Sequence, residues 1–502
     1  MSLIEFIFEN FENVVVYDFE YKQTPGNNPS PVCCTFKELK SGKQETHWYL
    51  GETPDWPYDN SNTLWICHNA VAEVSCMLEL GLERPDFVWD TMVQDMKLQR
   101  GIENRFNLLA CCKRFGIETI TEAQKEMFRD LIIENYPNYT KEQLNKIEEY
   151  NISDVVENEW LFLGQVAEFE KRNPIFKTTL SQALFHGKAQ AVVAKIERNG
   201  IPINYELYSD MDTLFPAIKA QEIEELKKVA DIYVGDKWNN KKFEEFLDKL
   251  GVLKNWPRTK SGQVAKDDRT LYRFSSKYPV IQQIREAKFI IEAKNLKGYQ
   301  VGKDKRSRSA LKMFGQITGR TNVSTATNPF GAPRRMRNII GTSKDKILVY
   351  ADWKSQEAVI QGALSNDPNI KAAIAAGDIY LFTAKKAKAI PEDALRKYYE
   401  PERKLYKETY LAIGYGQTAI GLKAKLDISE AEAAYLLSNL KRIYPTYFKW
   451  IDENIKYSVA RGFFETKFGW RFYVSDKEKM NPRSLMNWPL QSHGSEILRQ
   501  AI

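Results

Sequence analysis

The sequence has 502 residues, which is enough for two or three domains that each bury a hydrophobic core. Hydrophobic residues make up 43%, charged residues 27%, and the net charge is +6; these values are ordinary for a globular protein and leave its partners open. No apolar run approaches the roughly 18 residues that a membrane span needs, and no signal peptide is present. We therefore expect a soluble protein of the cytoplasm, with no membrane partner.

The positions of the cysteines and of the charges indicate which kinds of site the sequence favours. All six cysteines lie in the first quarter without Cys-x-x-Cys spacing, and only four histidines occur, which argues against a zinc site and favours free thiols. Eight basic residues against one acid lie between Lys294 and Arg320. Such a run is typical of a solvated face, and it also suits contact with a phosphate backbone.

The first pattern with chemical content is a predicted central strand over residues 14–21. Side chains alternate in a strand, so Asp18 and Glu20 project from the same face. Two carboxylates there repel each other unless a cation lies between them. Further strands are predicted at residues 32–36, 46–50 and 64–69, the last of them leading into a helix over residues 70–80.

A second pattern lies much further along, where Tyr150 and Asp154 share one face of a predicted helix. Each motif alone is more often structural than catalytic. In order, however, Asp18 with Glu20, Asn69 with Glu73, Asp90, and Tyr150 with Asp154 form a set. That set resembles the 3′–5′ proofreading exonuclease domain of family A DNA polymerases.

The resemblance implies an RNase H-like exonuclease domain over residues 1–185. Carboxylates at Asp18, Glu20, Glu73 and Asp154 would hold two divalent ions, Mg²⁺ or alternatively Mn²⁺, and Tyr150 would orient a water molecule. The family normally has aspartate at the position of Glu73. Because the extra methylene displaces a carboxylate by about an ångström, this departure puts proofreading in doubt.

The middle of the chain is predicted to be helical. The stretch 182–203 predicts a helix that ends at Asn199-Gly200. Helical segments follow at residues 205–233, 241–250 and 278–299. Their order resembles the thumb of family A polymerases. Downstream, Gly319 lets the backbone at Arg320 approach a phosphate or a minor groove.

The apolar run 346–351 predicts a buried strand that ends at Asp352, with a helix beginning near Glu357. Two carboxylates at a strand end and a helix start suit Mg²⁺ and a triphosphate. The alternative is a capped strand-to-helix turn.

A basic helical face follows at Arg403, Lys407, Leu411 and Tyr415, which step around a helix by 40° each. Two cations there could hold a triphosphate while the apolar and aromatic groups meet sugar and base; an ordinary surface helix is the alternative. Residues 463–473 predict a hairpin, and Arg483, Asn487 and Gln491 follow at intervals of four.

The spacing Arg-x₃-Lys-x₇-Tyr-Gly resembles the nucleotide-binding fingers helix of family A DNA polymerases. It implies an α/β and α+β multidomain fold in which a right-hand polymerase domain spans residues 186–502. Its parts would be a thumb at 186–310, a palm at 311–385, fingers at 386–482 and the start of the palm's return at 483–502.

The resemblance also implies roles for individual residues. Asp352 would be the catalytic metal ligand, and Lys407 would also protonate departing pyrophosphate. The implied nucleotide contacts are Glu357, Tyr380, Arg403, Lys407, Leu411 and Tyr415. The implied DNA contacts are Arg320, Arg337, Arg483, Asn487 and Gln491. Leu411 stands where the family has phenylalanine or tyrosine, which puts sugar discrimination in doubt.

Family A palms carry a second catalytic aspartate in a His-Asp-Glu hairpin, and this sequence stops at Ile502 without one. One carboxylate does not easily position two Mg²⁺ ions. Three explanations stay open: a second polypeptide supplies the hairpin, the sequence is truncated, or the chain is a stand-alone exonuclease or non-catalytic DNA-binding subunit. We favour the split polymerase, with primer–template DNA, dNTPs and a C-terminal chain as partners. The compact layout resembles bacteriophage enzymes, which implies the host cytoplasm.

Overall fold

The structure is a computed structural model that describes the chain except for residues 52–55, 173–174, 260, 276, 293–297, 324–326, 332–333, 343–344, 427 and 475–481, and the side chains of 334–336 and 482. Within the part described, no helix combines the length and the hydrophobicity required to cross a lipid bilayer.

The N-terminal region is built on a five-stranded sheet with strand order β3-β2-β1-β4-β5. β2 pairs antiparallel with β1 and β3, whereas β4 pairs parallel with β1 and β5. β1 lies at the centre because Val14, Val15 and Val16 are buried. The elements are α1 (Leu3–Asn10), β1 (Asn13–Lys22), β2 (Ser30–Glu38), β3 (Gln44–Trp48), β4 (Thr63–Cys67), α2 (Ala70–Glu79) and β5 (Phe87–Asp90).

Helices cover this sheet on both faces. They are α3 (Thr91–Gln99), α4 (Leu108–Arg114), α5 (Glu122–Asn135), α6 (Lys141–Arg172) and α7 (Phe176–Asn199). α6 packs across β1 and β2, and α7 packs against α2 and β5. The domain boundary expected after residue 185 falls inside α7, whose Ala191 and Ala194 still belong to the core of the sheet. The first folded unit, here called the N-terminal unit, therefore extends to Asn199.

A helical region with its own core follows. Its elements are β6 (Ile201–Pro202), α8 (Tyr205–Lys227), β7 (Tyr233–Val234), β8 (Lys237–Trp238), α9 (Asn240–Lys249), α10 (Asp268–Ser275) and α11 (Pro279–Ile291). Phe243, Trp256 and Ile284 are among its core residues. α8 and α11 are shorter than expected, since the chain turns into the β7–β8 hairpin after α8 and α11 ends at Ile291.

Short strands connect this region back to the N-terminal unit: β9 (Arg306–Ser307), β10 (Leu311–Lys312) and β11 (Asn322–Val323). Part of the basic run 294–320 makes structural contacts here. Arg306 donates to the carbonyl of Asn199, and Arg308 donates to that of Arg198 at 2.8 Å and 3.0 Å. Lys294 and Lys297 lie outside the described residues.

The C-terminal region is largely helical. Its elements are α12 (Gln356–Ser365), α13 (Pro368–Ala375), α14 (Ile379–Lys386), α15 (Glu400–Gly414), α16 (Ala419–Leu426), α17 (Glu430–Ile443), α18 (Pro445–Arg461), β12 (Phe463–Glu465), β13 (Arg471–Tyr473) and α19 (Pro482–Ala501). β12 and β13 form the expected hairpin. α19 packs on α12 and α18, which brings the last helix beside Glu357.

The buried strand expected at residues 346–351 is wrong in this structure. Residues 346–350 form no strand, and Ile347 and Tyr350 are 85% and 86% exposed. A strand needs a hydrogen-bonding neighbour, and no strand of the described ranges pairs with this segment. The apolar side chains consequently face solvent.

Candidate functional site

Three carboxylates meet on the N-terminal unit. One oxygen each of Asp18, Glu20 and Asp154 lies within 4.8 Å of the others. Asp18 and Glu20 project from one face of β1 through strand alternation, and α6 carries Asp154 across that face. The structure thus brings together residues that are more than 130 positions apart in sequence.

The pKa values of the carboxylates in this cluster are raised. Burial raises the pKa of Asp18 well above its ordinary value, and the neighbouring Asp154 charge raises it further. Burial and then the Asp18 charge do the same to the pKa of Glu20. Because converging carboxylate oxygens are the donors that Mg²⁺ and Mn²⁺ prefer, this donor set fits a divalent ion.

Two neighbours hold the cluster in place. Asn151 donates from Nδ2 to Asp18 Oδ2 at 2.8 Å. Lys125, on α5, donates from Nζ to Asp154 Oδ1 at 2.6 Å and to Glu157 Oε2 at 3.2 Å. Sequence reasoning missed both residues. Asn151 is adjacent to Tyr150 and could have been identified from its place in that motif. Nothing in the sequence distinguishes Lys125 from the other lysines.

Tyr150 lies beside the cluster on the turn of α6 that precedes Asp154. Its ring stacks on Phe128 of α5, with centroids 4.7 Å apart and an interplanar angle of 7°. Burial, and then the charge of Glu20, raises the pKa of Tyr150, so the phenol keeps its proton.

Glu73 is not one of the three carboxylates whose oxygens converge, but it lies close enough to them that the Asp18 charge, after burial, raises its pKa. It is buried, and its Oε2 accepts a hydrogen bond from the backbone N–H of Phe19 at 2.8 Å. Asp90 serves as the N-cap of α3 and also accepts from Ala70 N at 2.9 Å. Of the predicted set, Asp18, Glu20 and Asp154 therefore converge, Glu73 lies beside them on a backbone hydrogen bond from β1, and Asp90 caps a helix.

A second group of predicted residues meets at the N-terminus of α12. A cleft of about 480 Å³ is lined by Arg320, Asp352, Glu357 and Gln491, with Trp353 and Arg499 also on its wall. Asp352 is exposed at the edge of this cleft, next to the solvent-facing segment 346–350.

A hydrogen-bond network links four of the predicted residues. Tyr415 donates from its hydroxyl to Glu357 Oε1 at 2.8 Å. Gln491 Nε2 donates to the same oxygen at 2.5 Å and to the Tyr415 hydroxyl at 3.1 Å. Arg320 Nη1 donates to Gln491 Oε1 at 2.6 Å. Burial and the bond to Glu357 raise the pKa of Tyr415 to about 12, which keeps this donor protonated.

The basic residues of α15 lie over Tyr380. The guanidinium of Arg403 is 5.4 Å and Lys407 Nζ 5.9 Å from the centre of the Tyr380 ring. Arg403 Nε also donates to Asp378 Oδ2 at 2.5 Å. Leu411 is half-buried on the same helix, but Tyr415 is the residue after its end. The predicted single helical face therefore holds for Arg403, Lys407 and Leu411 and not for Tyr415.

The remaining predicted DNA contacts lie on or near α19. Arg483 and Asn487 precede Gln491 at four-residue spacing on this helix. Arg483 is exposed, and its Cα would be 2.8 Å from a Cβ added at Gly416, which has φ of +69°. Arg337 is exposed in the 3₁₀ helix Arg334–Ile339.

The sheet and both sites belong to a mixed α/β multidomain protein, and comparison with known families specifies the class. The family model of DNA polymerase family A matches residues 216–502, more than half of the chain. The chain therefore belongs to DNA polymerase family A.

Similar proteins are bacterial. DNA polymerase I of Aquifex aeolicus is 29% identical over 325 residues, covering 62% of this chain and 54% of the relative. DNA polymerase I of Chloroflexus aurantiacus is 24% identical over 336 residues, covering 62% and 35%. The chain thus spans about half, or less, of the length of these relatives.

A solved structure shows the same fold. The POL domain of Pol1 from M. smegmatis, in complex with DNA primer-template and dNTP, superposes with a TM-score of 0.73 at 17% identity. The match covers 99% of this chain and 86% of that one.

Proposed function

We propose that the chain is a DNA-directed DNA polymerase that also carries a 3′–5′ exonuclease centre on its N-terminal unit. The observation that carries the polymerase assignment is the network joining Arg320, Gln491, Glu357 and Tyr415 beside Asp352. Membership of DNA polymerase family A supports it.

The C-terminal region has the groups that a nucleotide pocket requires. Lys407 and Arg403 place positive charge on one face of α15, where it can pair with phosphate oxygens. Gln491 and Tyr415 hold Glu357 in one orientation, and we assign this fixed carboxylate to the sugar of the incoming nucleotide. Asp352 would be one ligand of Mg²⁺, which supplies neutralising charge to the transferring phosphates.

The polymerase centre needs a further carboxylate. We propose that a β-hairpin from outside these 502 residues pairs with segment 346–350 and brings that carboxylate to Asp352. The exposure of Ile347 and Tyr350 supports this, since an uncovered apolar segment is a surface to which a strand can add.

The acidic cluster supports the exonuclease. Asp18, Glu20 and Asp154 would hold the divalent ion, which supplies charge neutralisation at a phosphodiester. Asn151 holds Asp18 by a hydrogen bond, and the protonated phenol of Tyr150 would orient water. The strand order β3-β2-β1-β4-β5, with β2 antiparallel, is compatible with an RNase H-like arrangement.

Paired substitutions test the two activities on the same chain. Asp18→Ala is expected to abolish degradation of single-stranded DNA in Mg²⁺ and to leave primer extension intact. Asp352→Ala is expected to do the reverse. Primer extension is measured with and without a folded peptide bearing a His-Asp-Glu hairpin, and the peptide should raise it.

Three outcomes contradict these proposals. Nuclease activity that survives Asp18→Ala removes the exonuclease assignment. Extension that is strong without the peptide, or unchanged when the peptide binds, contradicts the need for an added hairpin. A chain that degrades DNA but never extends a primer, with or without the peptide, is a stand-alone exonuclease.

A further inference from the structure

The acidic cluster of the N-terminal unit already has a cation. Lys125 Nζ is 2.6 Å from Asp154 Oδ1 and 3.2 Å from Glu157 Oε2, and the lysine side chain is only 13% exposed. This is a close double ion pair and not a solvated surface lysine. It uses one of the three carboxylates that converge at the candidate metal position.

The helix that carries Lys125 is seated on the site. Phe128, one turn later on α5, stacks on Tyr150. Lys125 Nζ lies 5.9 Å from the centre of the same tyrosine ring. α5 packs against both α6 and β1, so the position of the ammonium is set by helix packing on the two elements that supply the carboxylates.

The ammonium group of Lys125 lies where it would affect binding of a divalent ion to the cluster. Asp18, Glu20 and Asp154 converge, and Glu157 faces the same lysine. A divalent ion bound by the three carboxylates would lie a few ångströms from Lys125 in a partly buried site. Like charges at that separation repel strongly, since the interaction is little screened by solvent.

We propose that Lys125 is a positioning residue of the exonuclease centre: it is a built-in counter-ion that holds Asp154 in the metal-free protein and competes with the divalent ion for that carboxylate. This inference rests on the proposed exonuclease. Lys125 thereby keeps the metal affinity of the cluster below what the three carboxylates alone would give, and it sets the metal concentration at which the centre is filled.

Metal binding to the full-length chain tests this directly. Mn²⁺ is titrated into the protein and followed by electron paramagnetic resonance, and the ion bound at the cluster is identified as the one lost in Asp18→Ala. Lys125→Met should bind that ion on the order of tenfold more tightly, because a neighbouring positive charge is gone. Lys125→Gln keeps hydrogen-bond donors without the charge and should also bind the ion more tightly. It provides the same test if the methionine variant does not fold.

Two variants serve as controls. Lys125→Arg keeps the charge and should bind Mn²⁺ as the unmodified chain does. Lys146→Met removes a lysine of α6 that pairs with Glu142 at the exposed surface, and it should leave the affinity unchanged. Mn²⁺ affinity in a folded Lys125→Met or Lys125→Gln that equals or falls below that of the unmodified chain overturns the proposal.

The nuclease assay separates this inference from the function on which it rests. Tighter Mn²⁺ binding by Lys125→Met without any Asp18-dependent nuclease keeps the counter-ion role and removes the exonuclease. Asp18-dependent nuclease whose Mn²⁺ affinity is indifferent to Lys125 keeps the exonuclease and removes the counter-ion role. If both hold, the half-saturating metal concentration for DNA degradation should fall in Lys125→Met.

Discussion

Arg499 donates a hydrogen bond of 2.7 Å from Nη1 to the backbone carbonyl of Gly319, which lies 180 residues earlier in the chain. The indole N–H groups of Trp470 and Trp488 donate to the carbonyl of Ile317 in the same turn, at 3.1 Å and 3.0 Å. Three side chains therefore fix the turn that ends at Arg320. Since Arg320 binds Gln491, α19 contacts the hydrogen-bond network both through Gln491 itself and through the turn that precedes Arg320.

Removing the Arg499 clamp should destabilise the chain. Arg499→Met leaves the carbonyl of Gly319 without its charged donor in a buried place, and we expect the free energy of unfolding to fall by about 2 kcal/mol. Arg396→Met is the matched control, because that arginine pairs with Glu400 at the surface, and its cost should stay below about 1 kcal/mol. Urea denaturation measures both, and equal losses would contradict the assignment.

Glu496 should make stability depend on pH. It is fully buried on α19 with Oε1 3.8 Å from His186 Nε2, and burial raises its pKa to about 7. Between the ordinary pKa of 4.5 and about 7 the folded chain keeps a proton that the unfolded chain releases, so its contribution to stability is lost as pH rises through that window.

Glu496→Gln removes this term. Urea denaturation across the window should show the variant gaining on the unmodified chain by up to about 1.4 kcal/mol per pH unit, with no further gain at higher pH. A difference that stays constant from the acidic to the neutral end would rule out the linkage.

Gly187 should not tolerate a side chain. A Cβ added there would lie 1.9 Å from the backbone oxygen of Val88, where α7 presses on β5. We expect Gly187→Ala to lower the free energy of unfolding by at least about 2 kcal/mol, because backbone cannot yield as a side chain can. Gly51→Ala, with no atom of the described residues within 4 Å of the added Cβ, should be neutral when both are unfolded in urea. Comparable stabilities would show that α7 can shift away from the sheet.

Gln491 should matter more for nucleotide binding than Tyr415. Gln491→Ala removes bonds to Arg320, Glu357 and Tyr415 at once, whereas Tyr415→Phe removes one hydroxyl and leaves Gln491 on the carboxylate. We expect the dNTP dissociation constant of the chain on primer–template to rise at least roughly tenfold in the first variant and only a few-fold in the second.

The measurement is dNTP titration of the protein–DNA complex. Gln282→Ala is the control, since that side chain bonds Glu286 on the exposed surface of α11. A larger effect from Tyr415→Phe than from Gln491→Ala would mean that the hydroxyl, and not the amide, orients Glu357.

Local periodicity carried much of what the sequence could predict. The alternation of Asp18 and Glu20 and the helical spacing of Tyr150 and Asp154 are properties of single elements, so they are visible in the residues. That the two pairs meet came from the family resemblance. Lys125 could not be predicted, because its contact depends on how α5 packs on α6, and a lysine in an amphipathic helix ordinarily faces water.

The errors have physical reasons too. The sequence predicts a helix end at Asn199-Gly200, and α7 ends there at Gly200, which has φ of +61°. No comparable signal marks residue 185, and α7 continues through it. The strand at residues 346–351 was predicted from hydrophobicity alone. Strand formation also requires a neighbour, which a single segment cannot supply.

The uncovered segment 346–350 has a consequence for the protein as a substance in solution. An exposed apolar segment outside any sheet is a surface through which proteins associate with copies of themselves, and a charged residue placed on it blocks such contacts. The chain should therefore aggregate or oligomerise as its concentration rises, and Val349→Lys should keep it monomeric. Its practical solubility is governed by the same few residues that lead to Asp352.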